Sequence, residues 1–547
     1  MNLQPVDKLT FPEKCPRDLL TAFLIFSFSV LHFSFFYSYT LMNGDEGIIL
    51  QGAQRILQGE VLYRDFFAFI TPGSYYWIAF FFKVFGSSIG VGRAVLLVEG
   101  ALLSVLTYLL ARRVCSRWSA FLAAALVTLA GLPNRFLVLH NWDSTLWAFL
   151  TMYCAVIYLQ KPRRVWLFAA GLFAAVTCLF EQSKGAGIVF GLGLAAMILV
   201  MTDREMRSSI HLRLLAAFII GFGLPLLFTF VYFGMHHALF QMFQDWLWPL
   251  QNYSAANRTS YGFVTLSGSD RAELYSEPWP SRLFVMLITG PWLIIPAMPI
   301  FGVGVLFYSV HKNWRASRTG SASAYYIVTS ASVVGLLLSI FATGRPDFTH
   351  LVYVSPILFV ILAWIIDRQM WPSVVRPVMP VVVFVLVLSC LGFGLSLLSQ
   401  PLNAVHTLHT RRGMLRSVKP DEVVDYVQKN VRAGDTMLVY PYLPLYYYLT
   451  GTFSPSRYEY LQPGLHTPEQ FKELARAVEA DQTQMILFEP SFREKAPTAF
   501  PATPAEILNG KDPLADYISS HYRKCTDLTS QNFWHFAVML RKDLACP

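Results

Sequence analysis

The stretch Asn43-Gly44-Asp45-Glu46-Gly47 places two adjacent carboxylates directly after the first long apolar segment of the chain. That segment, residues 19–42, contains no Asp, Glu, Lys or Arg and can cross a bilayer, which takes roughly 20 residues. The next segment able to cross begins only near Gly90. The acidic pair therefore opens a long loop at the membrane surface, where carboxylates are either simply solvated or used in chemistry.

The composition of the whole chain indicates a polytopic membrane protein. Hydrophobic residues make up 54% of the 547 residues and charged residues only 14%, and the mean hydropathy is +0.45. A typical soluble domain is about 25% charged. Apolar runs continue to about Ser399, after which the composition becomes that of a soluble domain. We therefore predict a transmembrane domain over residues 1–400 and a soluble α/β domain over residues 401–547.

The apolar runs predict about eleven spanning helices. The third to sixth are short, so one of them could be re-entrant. The predicted ranges are 19–42, 90–112, 119–134, 143–159, 165–180, 186–201, 212–234, 283–308, 324–343, 350–366 and 378–398.

The positive charges predict the orientation of these helices. With the N-terminus in the cytoplasm, Lys and Arg cluster in every second loop, as the positive-inside rule requires. The clusters are Arg112, Arg113 and Arg117; Lys161, Arg163 and Arg164; Arg204, Arg207 and Arg213; Lys312, Arg315 and Arg318; and Arg368 and Arg376. An odd number of spans then places the tail outside the cytoplasm, with the protein in the inner (plasma) membrane. The first segment lacks a small-residue cleavage site and is interpreted as a retained anchor.

The net charge of +9 does not indicate a nucleic-acid partner, because the basic residues are largely explained by topology. In the tail, Cys525 and Cys546 are predicted to form a disulfide, which is permitted outside the cytoplasm. The tail is expected to bind the acceptor or a partner, or to be purely structural. Its predicted elements are helices at 420–430 and 468–480 and strands at 435–440, 484–488 and 534–540.

The first outside loop is predicted to contain two surface helices. Residues 47–58 place apolar side chains on one helical face, and Gly59 is a natural C-terminal stop. Residues 74–85 form an aromatic-rich run that is too short to span and suits the membrane interface. The connection between them carries Arg64 and Asp65. Such a loop would cover the mouth of the helix bundle, either as part of a site or as a passive collar.

Short motifs follow one another in a fixed order along the chain. They are Gly44-Asp45-Glu46, the run 57–66, Pro72-Gly73-Ser74-Tyr75-Tyr76, Phe85-Gly86 followed by Arg93, Lys184-Gly185, and the run 350–356. This order resembles the GT-C glycosyltransferases, in particular the protein O-mannosyltransferase and lipid A aminoarabinose transferase branch. The resemblance covers roughly residues 19–366. It implies the GT-C fold, with juxtamembrane helices in the first outer loop.

The resemblance implies transfer of a sugar from a polyprenyl-phosphate donor to an acceptor hydroxyl of a lipid, glycan or protein at the outer face, with inversion. Asp45 matches the family position of the base, which takes the proton of the attacking hydroxyl. Glu46 would position the acceptor or tune Asp45 as a neighbouring like charge. The expected partners are the lipid-linked donor, the acceptor and membrane lipids.

A departing polyprenyl phosphate needs fixed cations, and the outer turns supply four candidates. These are Lys184, Arg345, His350 and Arg64. Each has a structural alternative. For His350 it is an interfacial position. For the others it is a local ion pair, with Glu181 for Lys184, Asp347 for Arg345 and Asp65 for Arg64.

The predicted acceptor-binding residues are Asp143 and Asp65. Asp143 resembles a second acidic residue of the family, but it could equally be the N-cap of the following helix. The aromatic residues of the loop 236–282 suit either sugar stacking or a membrane interface. No cofactor is predicted, and the spacing of the acidic and histidine residues gives no support for a divalent metal.

Two other classes of protein are compatible with a polytopic chain. A secondary transporter should show internal repeats and broken helices with charges at mid-membrane, and neither is visible. A non-catalytic, polyprenyl-lipid-binding scaffold of GT-C fold is the stronger alternative. The feature that separates an enzyme from a scaffold is whether Asp45 shares a cavity with Lys184 or Arg345.

Overall fold

The computed structural model describes residues 16–202, 212–253, 255–264, 276–316, 321–367, 377–508, 510–531 and 534–546. Within these ranges the chain forms a large helical bundle followed by a sheet-containing tail. Of the residues named above, Arg204, Arg207, Arg318, Arg368 and Arg376 lie outside the described ranges.

In the described part of the chain, sixteen α-helices precede the first strand. They are α1 (Pro16–Ser34), α2 (Gly44–Leu57), α3 (Gly73–Phe85), α4 (Ile89–Ala111), α5 (Arg117–Leu126), α6 (His140–Gln160), α7 (Arg164–Phe180), α8 (Gln182–Thr202), α9 (Leu212–Met235), α10 (Leu239–Asn252), α11 (Trp279–Ile288), α12 (Pro291–Ala316), α13 (Ser321–Ala342), α14 (Phe348–Tyr353), α15 (Ser355–Ile366) and α16 (Met379–Leu402). A π-helical turn and a 3₁₀ turn extend α5 to Arg135.

The prediction of a polytopic helical membrane protein is confirmed. In the described part of the chain, seven helices are long and apolar enough to span, namely α1, α4, α8, α9, α12, α13 and α16, while α7 and α15 are shorter apolar helices. Every predicted span falls on helical structure, with three differences. The first helix ends at Ser34, before the predicted Met42. The range 283–308 is divided between α11 and α12 near Gly290, and the range 350–366 is divided between α14 and α15 at Val354.

Glycines allow close packing within the bundle. A Cβ atom added at Gly187 would lie 2.5 Å from the carbonyl oxygen of Gly335, and one added at Gly335 would lie 2.0 Å from the carbonyl oxygen of Gly187. Helices α8 and α13 therefore touch backbone to backbone, as small residues permit in membranes.

The two predicted helices of the first outer loop are present as α2 and α3, but α2 does not lie on lipid. Ile49, Leu50 and Ala53 are buried in a core that also contains residues of the tail, including Val424 and Tyr446. Helix α3 instead leaves Phe80, Val84 and Phe85 exposed, as expected for a helix at the membrane interface. The apolar face of α2 is thus covered by protein rather than by the bilayer.

The tail is a mixed α/β unit, as predicted. Strands β3–β6 form a sheet of order β3-β4-β6-β5, in which only the β3–β4 pair is parallel, and β1 and β2 form a separate hairpin. Its elements are β1 (His406–Thr410), β2 (Gly413–Ser417), α17 (Glu422–Asn430), β3 (Leu438–Tyr440), α18 (Leu445–Thr450), α19 (Pro468–Asp481), β4 (Met485–Phe488), α20 (Phe492–Ala499), α21 (Ala505–Leu508), α22 (Ala515–His521), β5 (Tyr522–Thr529) and β6 (His535–Arg541).

The predicted disulfide between Cys525 and Cys546 is confirmed, with the two Cα atoms 5.6 Å apart. It ties the residues after β6 back to β5.

The tail packs directly on the N-terminal end of α2. A Cβ atom added at Gly47 would lie 2.1 Å from the backbone nitrogen of Leu445, and one added at Gly44 would lie 2.6 Å from the ring of Tyr442. Only glycine allows this approach at both positions. The acidic motif is therefore held between the bundle and the tail.

Candidate active site between the bundle and the tail

Asp45 lies in the first turn of α2 with its side chain exposed. The helix begins there because the Asn43 side chain caps it, accepting a hydrogen bond of 2.9 Å from the Asp45 backbone N–H. The partial positive charge of a helix N-terminus favours a carboxylate at this position. Asp45 is thus an accessible anion at the end of the bundle that contacts the tail.

The tail supplies a direct partner for this carboxylate. The Tyr442 hydroxyl donates a hydrogen bond to Asp45 Oδ1. Burial, followed by the charge of Asp45, raises the pKa of Tyr442 well above its usual value, so the hydroxyl remains a donor. The next residue, Leu443, has a φ of 101°, an uncommon conformation for a residue with a side chain. Such strain is tolerated where the surrounding structure enforces it, and here it accompanies the contact with Asp45.

Arg345 lies in the turn after α13 and belongs to the same site. Burial disfavours its charge, but the carboxylates of Asp347 and Asp45 are among the groups that outweigh this effect and raise the pKa of Arg345. The guanidinium also lies over the ring of Phe500 in the tail, 5.0 Å from its centre. The charge of Asp45 therefore acts on a buried, permanent cation, and the role of Arg345 as a donor-phosphate ligand stays a prediction.

Asp347 organises this turn. Its side chain caps α14 and accepts a hydrogen bond of 2.8 Å from His350 Nδ1. One of its carboxylate oxygens also lies 4.0 Å from Arg345 Nε. Burial opposes its charge, but His350 and Arg345 lower the pKa of Asp347 well below its usual range. The local pair of Arg345 with Asp347 therefore exists, and it positions the cation without removing it from the neighbourhood of Asp45.

Lys184 forms the local ion pair with Glu181 that was the structural alternative to binding the donor phosphate. Its ammonium is 2% exposed and lies 2.9 Å from the Glu181 carboxylate. It also donates to the Asn141 carbonyl at 2.8 Å, the Ser144 hydroxyl at 2.8 Å and the Thr145 hydroxyl at 3.1 Å. An ammonium has three N–H donors, so this environment already satisfies it. Lys184 joins α6 to α8 and offers no donor to a ligand in this conformation.

Glu46 is also internal. Successive residues of an α-helix project about 100° apart, which separates Glu46 from the exposed Asp45. Its two carboxylate oxygens accept hydrogen bonds of 2.9 and 2.7 Å from Arg93, and neither side chain is exposed. The Val138 backbone N–H donates a further bond of 3.2 Å. Glu46 therefore fixes α2 against α4 rather than facing a substrate.

Replacing Glu46 with Leu should destabilise the folded protein by about 3–5 kcal/mol, because it leaves the Arg93 guanidinium buried without its counter-ion. The expected result is a lower thermal unfolding midpoint in detergent. The double variant Glu46→Leu with Arg93→Met should recover most of the loss. An unchanged midpoint for the single variant would show that this ion pair does not hold α2 in place.

Arg64 and Asp65 are paired with each other at the surface. Arg64 Nε and Nη2 each donate to one carboxylate oxygen of Asp65 at 2.8 Å. Asp65 also accepts a bond of 2.7 Å from the Val61 backbone N–H. Through these contacts both side chains stabilise the segment between α2 and α3. Binding of the donor phosphate by Arg64 and of the acceptor by Asp65 stay predictions.

Asp143 is not an N-cap, because α6 begins three residues earlier at His140. Its side chain is 2% exposed and accepts a hydrogen bond from the Ser74 hydroxyl at the start of α3. Glu99 of α4 lies beside it and accepts a bond of 2.7 Å from Trp77 Nε1. Asp143 thus anchors α3 to the bundle, and a contact with the acceptor stays a prediction.

The sequence analysis did not identify Tyr442 as a site residue, and it assigned no role to Arg258. Tyr442 is 397 residues from Asp45 and has no motif around it, so no local signal could have identified it. The backbone of Arg258 is fixed between the tail and the Arg345 turn. Its N–H donates to Thr503, its carbonyl accepts from Ala502, and its side chain is exposed beside Gly344. The Arg258 side chain therefore starts beside the turn that carries Arg345.

Across the ranges that the structure describes, no group of three or more His, Cys, Asp or Glu side chains is placed to hold a metal ion.

The comparisons with known proteins support the fold that the sequence motifs implied. Residues 70–236 match the family model described as dolichyl-phosphate-mannose-protein mannosyltransferase. No curated protein matches the chain by sequence.

Solved structures match nearly the whole chain. ArnT from Cupriavidus metallidurans bound to undecaprenyl phosphate is 14% identical, with a TM-score of 0.53 over 97% of this chain and 99% of that protein. The Archaeoglobus fulgidus oligosaccharyltransferase AglB, in complex with an inhibitory peptide and a dolichol-phosphate, is 10% identical. Its TM-score is 0.52, and the match covers 94% of this chain and 74% of that protein. At these identities the likeness shows the fold. The predicted resemblance is thereby confirmed, and the chain is a membrane protein with the GT-C glycosyltransferase fold.

Proposed function

We propose that this protein is a membrane glycosyltransferase that moves one sugar from a polyprenyl-phosphate donor to an acceptor hydroxyl, with inversion. The observation that carries the proposal is the exposed Asp45 carboxylate, which accepts a hydrogen bond from Tyr442 and whose charge acts on the buried Arg345 guanidinium. A transferase needs a base for the acceptor and a cation for the leaving phosphate, and Asp45 and Arg345 match that requirement.

In the proposed reaction, the acceptor oxygen attacks the anomeric carbon of the donor sugar. Its proton passes to Asp45 as the new C–O bond forms, and the bond to the phosphate oxygen breaks. The electron pair leaves with the polyprenyl phosphate, whose charge Arg345 stabilises, with Arg258 and His350 as neighbouring groups. Tyr442 orients the Asp45 carboxylate through its hydrogen bond.

We also propose that the site faces away from the cytoplasm and that the tail lies on that side. The support is the alternation of basic loops together with the direct packing of Tyr442 and Leu445 on α2, which requires both to lie at one end of the bundle. The matched structures were solved with undecaprenyl phosphate and dolichol-phosphate, which supports a lipid-phosphate donor of the same kind here.

Mass spectrometry of envelope glycans and lipids would test this function. A strain lacking the gene and a strain carrying Asp45→Asn should lose the same sugar modification, and the wild-type gene should restore it in both. Full restoration by the Asp45→Asn gene would favour a lipid-binding scaffold and contradict the enzymatic proposal.

A further inference from the structure

A cleft lies between α10 and the part of the tail around α19. Its volume is about 350 Å³, within the range of small-molecule sites, roughly 300–1,000 Å³. The residues that line it and carry its chemistry are Phe67, Gln244, Asp245, Trp248, Arg457 and Tyr458.

The cleft contains one acidic and one basic side chain, Asp245 and Arg457. Asp245 Oδ2 lies 3.8 Å from Arg457 Nη2 and accepts a weak bond of 3.4 Å from the Ala68 backbone N–H. Burial raises the pKa of Asp245 to about 7, although Arg457 opposes this shift. Arg457 Nε is buried and makes no hydrogen bond to the described residues. A neutral ligand with both donors and acceptors suits such a pair better than a charged one.

The remaining walls are aromatic. Phe67 lies 5.6 Å from the ring centres of both Trp248 and Tyr458, and all three line the cleft. Trp248 Nε1 is buried and has no hydrogen-bond partner among the described residues. Apolar ring surfaces beside a carboxylate, a guanidinium and an amide can contact both the C–H groups and the hydroxyls of a sugar ring.

A continuous series of ring contacts joins the cleft to the Asp45 site. Trp248 lies 5.0 Å from His466, His466 lies 5.4 Å from Tyr460, and Tyr460 lies 5.5 Å from Tyr442. Tyr442 is the residue that bonds Asp45. The cleft is therefore only three ring contacts away from the partner of the proposed base.

We propose that this cleft is a subsite for a neutral sugar residue of a glycan acceptor. The inference rests on the proposed function, since the anomeric carbon of the donor sugar must react beside Asp45. A sugar bound three ring contacts away therefore belongs to the acceptor, whose attacking hydroxyl extends towards Asp45.

Saturation-transfer NMR on the full-length protein in nanodiscs tests this proposal. The probes are the neutral trisaccharides maltotriose, mannotriose and triacetylchitotriose, with trigalacturonic acid as the acidic counterpart. At least one neutral trisaccharide should bind more tightly than the acidic one. Asp245→Asn, which removes a charged hydrogen-bonding group, should weaken this binding at least about tenfold. Gln244→Trp, which fills the cleft from an exposed position, should abolish it.

The matched control is Gln241→Trp, which makes the same change on α10 at a residue outside the cleft lining and should bind the probe as the wild type does. Absence of binding by every neutral probe, preference for the acidic probe, or equal loss in Gln241→Trp would each overturn the proposal. Binding of a fluorescent undecaprenyl phosphate, measured in parallel, should be unchanged in Asp245→Asn. Failure of the wild type to bind that lipid would contradict the proposed function instead.

Discussion

Asp45→Asn should lower the rate of sugar transfer by about 100-fold or more, because removing a positioned general base costs that much. The variant should fold normally, since Asp45 is exposed and its backbone N–H, not its side chain, makes the helix-capping bond. An amide keeps the shape of the side chain and can still accept a bond from Tyr442. The measurement is release of polyprenyl phosphate by purified protein in nanodiscs.

The control for this change is Asp425→Asn, the same substitution on an exposed residue of α17. It should transfer at the wild-type rate. Near-normal turnover by Asp45→Asn, with the control behaving as expected, would remove Asp45 from the role of base.

Arg345→Gln should weaken donor binding and slow transfer, together by about 10²–10³-fold in kcat/KM, the cost of removing one group that stabilises a developing anion. The effect should fall on kcat as well as on KM, because the contact strengthens as the phosphate leaves. Kinetics at varied donor concentration would separate the two contributions.

Arg64→Gln is the matched control, since Arg64 is an outer arginine that is already engaged by both oxygens of Asp65. Breaking an exposed pair of this kind costs about 1 kcal/mol or less, so transfer should change little. If Arg64→Gln lost as much activity as Arg345→Gln, the donor phosphate would have to lie over the α2–α3 turn instead of the Arg345 turn.

Several features of the molecule could be predicted from the sequence because they depend on nearby residues. An apolar run of about 20 residues favours a spanning helix, since the bilayer sets the length and the backbone must satisfy its own hydrogen bonds. The helices predicted at 47–58 and 74–85 are present at Gly44–Leu57 and Gly73–Phe85, because apolar periodicity, an aromatic-rich run and a terminal glycine are local signals. The disulfide of the tail followed from the compartment predicted for its two cysteines.

The roles of individual charged residues could not be predicted in this way. Lys184 and Arg345 are both cations in outer turns, yet the first is enclosed by four acceptors and the second lies near Asp45. Asp45 and Glu46 are neighbours in sequence, but α2 turns one outward and buries the other against Arg93. Which side of a helix faces its neighbours depends on the packing of distant segments.

The sequence by itself thus indicated the GT-C fold through the order of its short motifs, the order of its helices and the position of the acidic motif before α2. Only the tertiary structure showed that the charge of Asp45 acts on Arg345, that the tail supplies Tyr442, and that α10 and the tail form a polar aromatic cleft. The physical reason is that hydrophobic length and capping act within a few turns of the chain. A binding site is instead made by side chains from segments far apart in sequence, which the hydrophobic core shared by α2, α3 and the tail holds together.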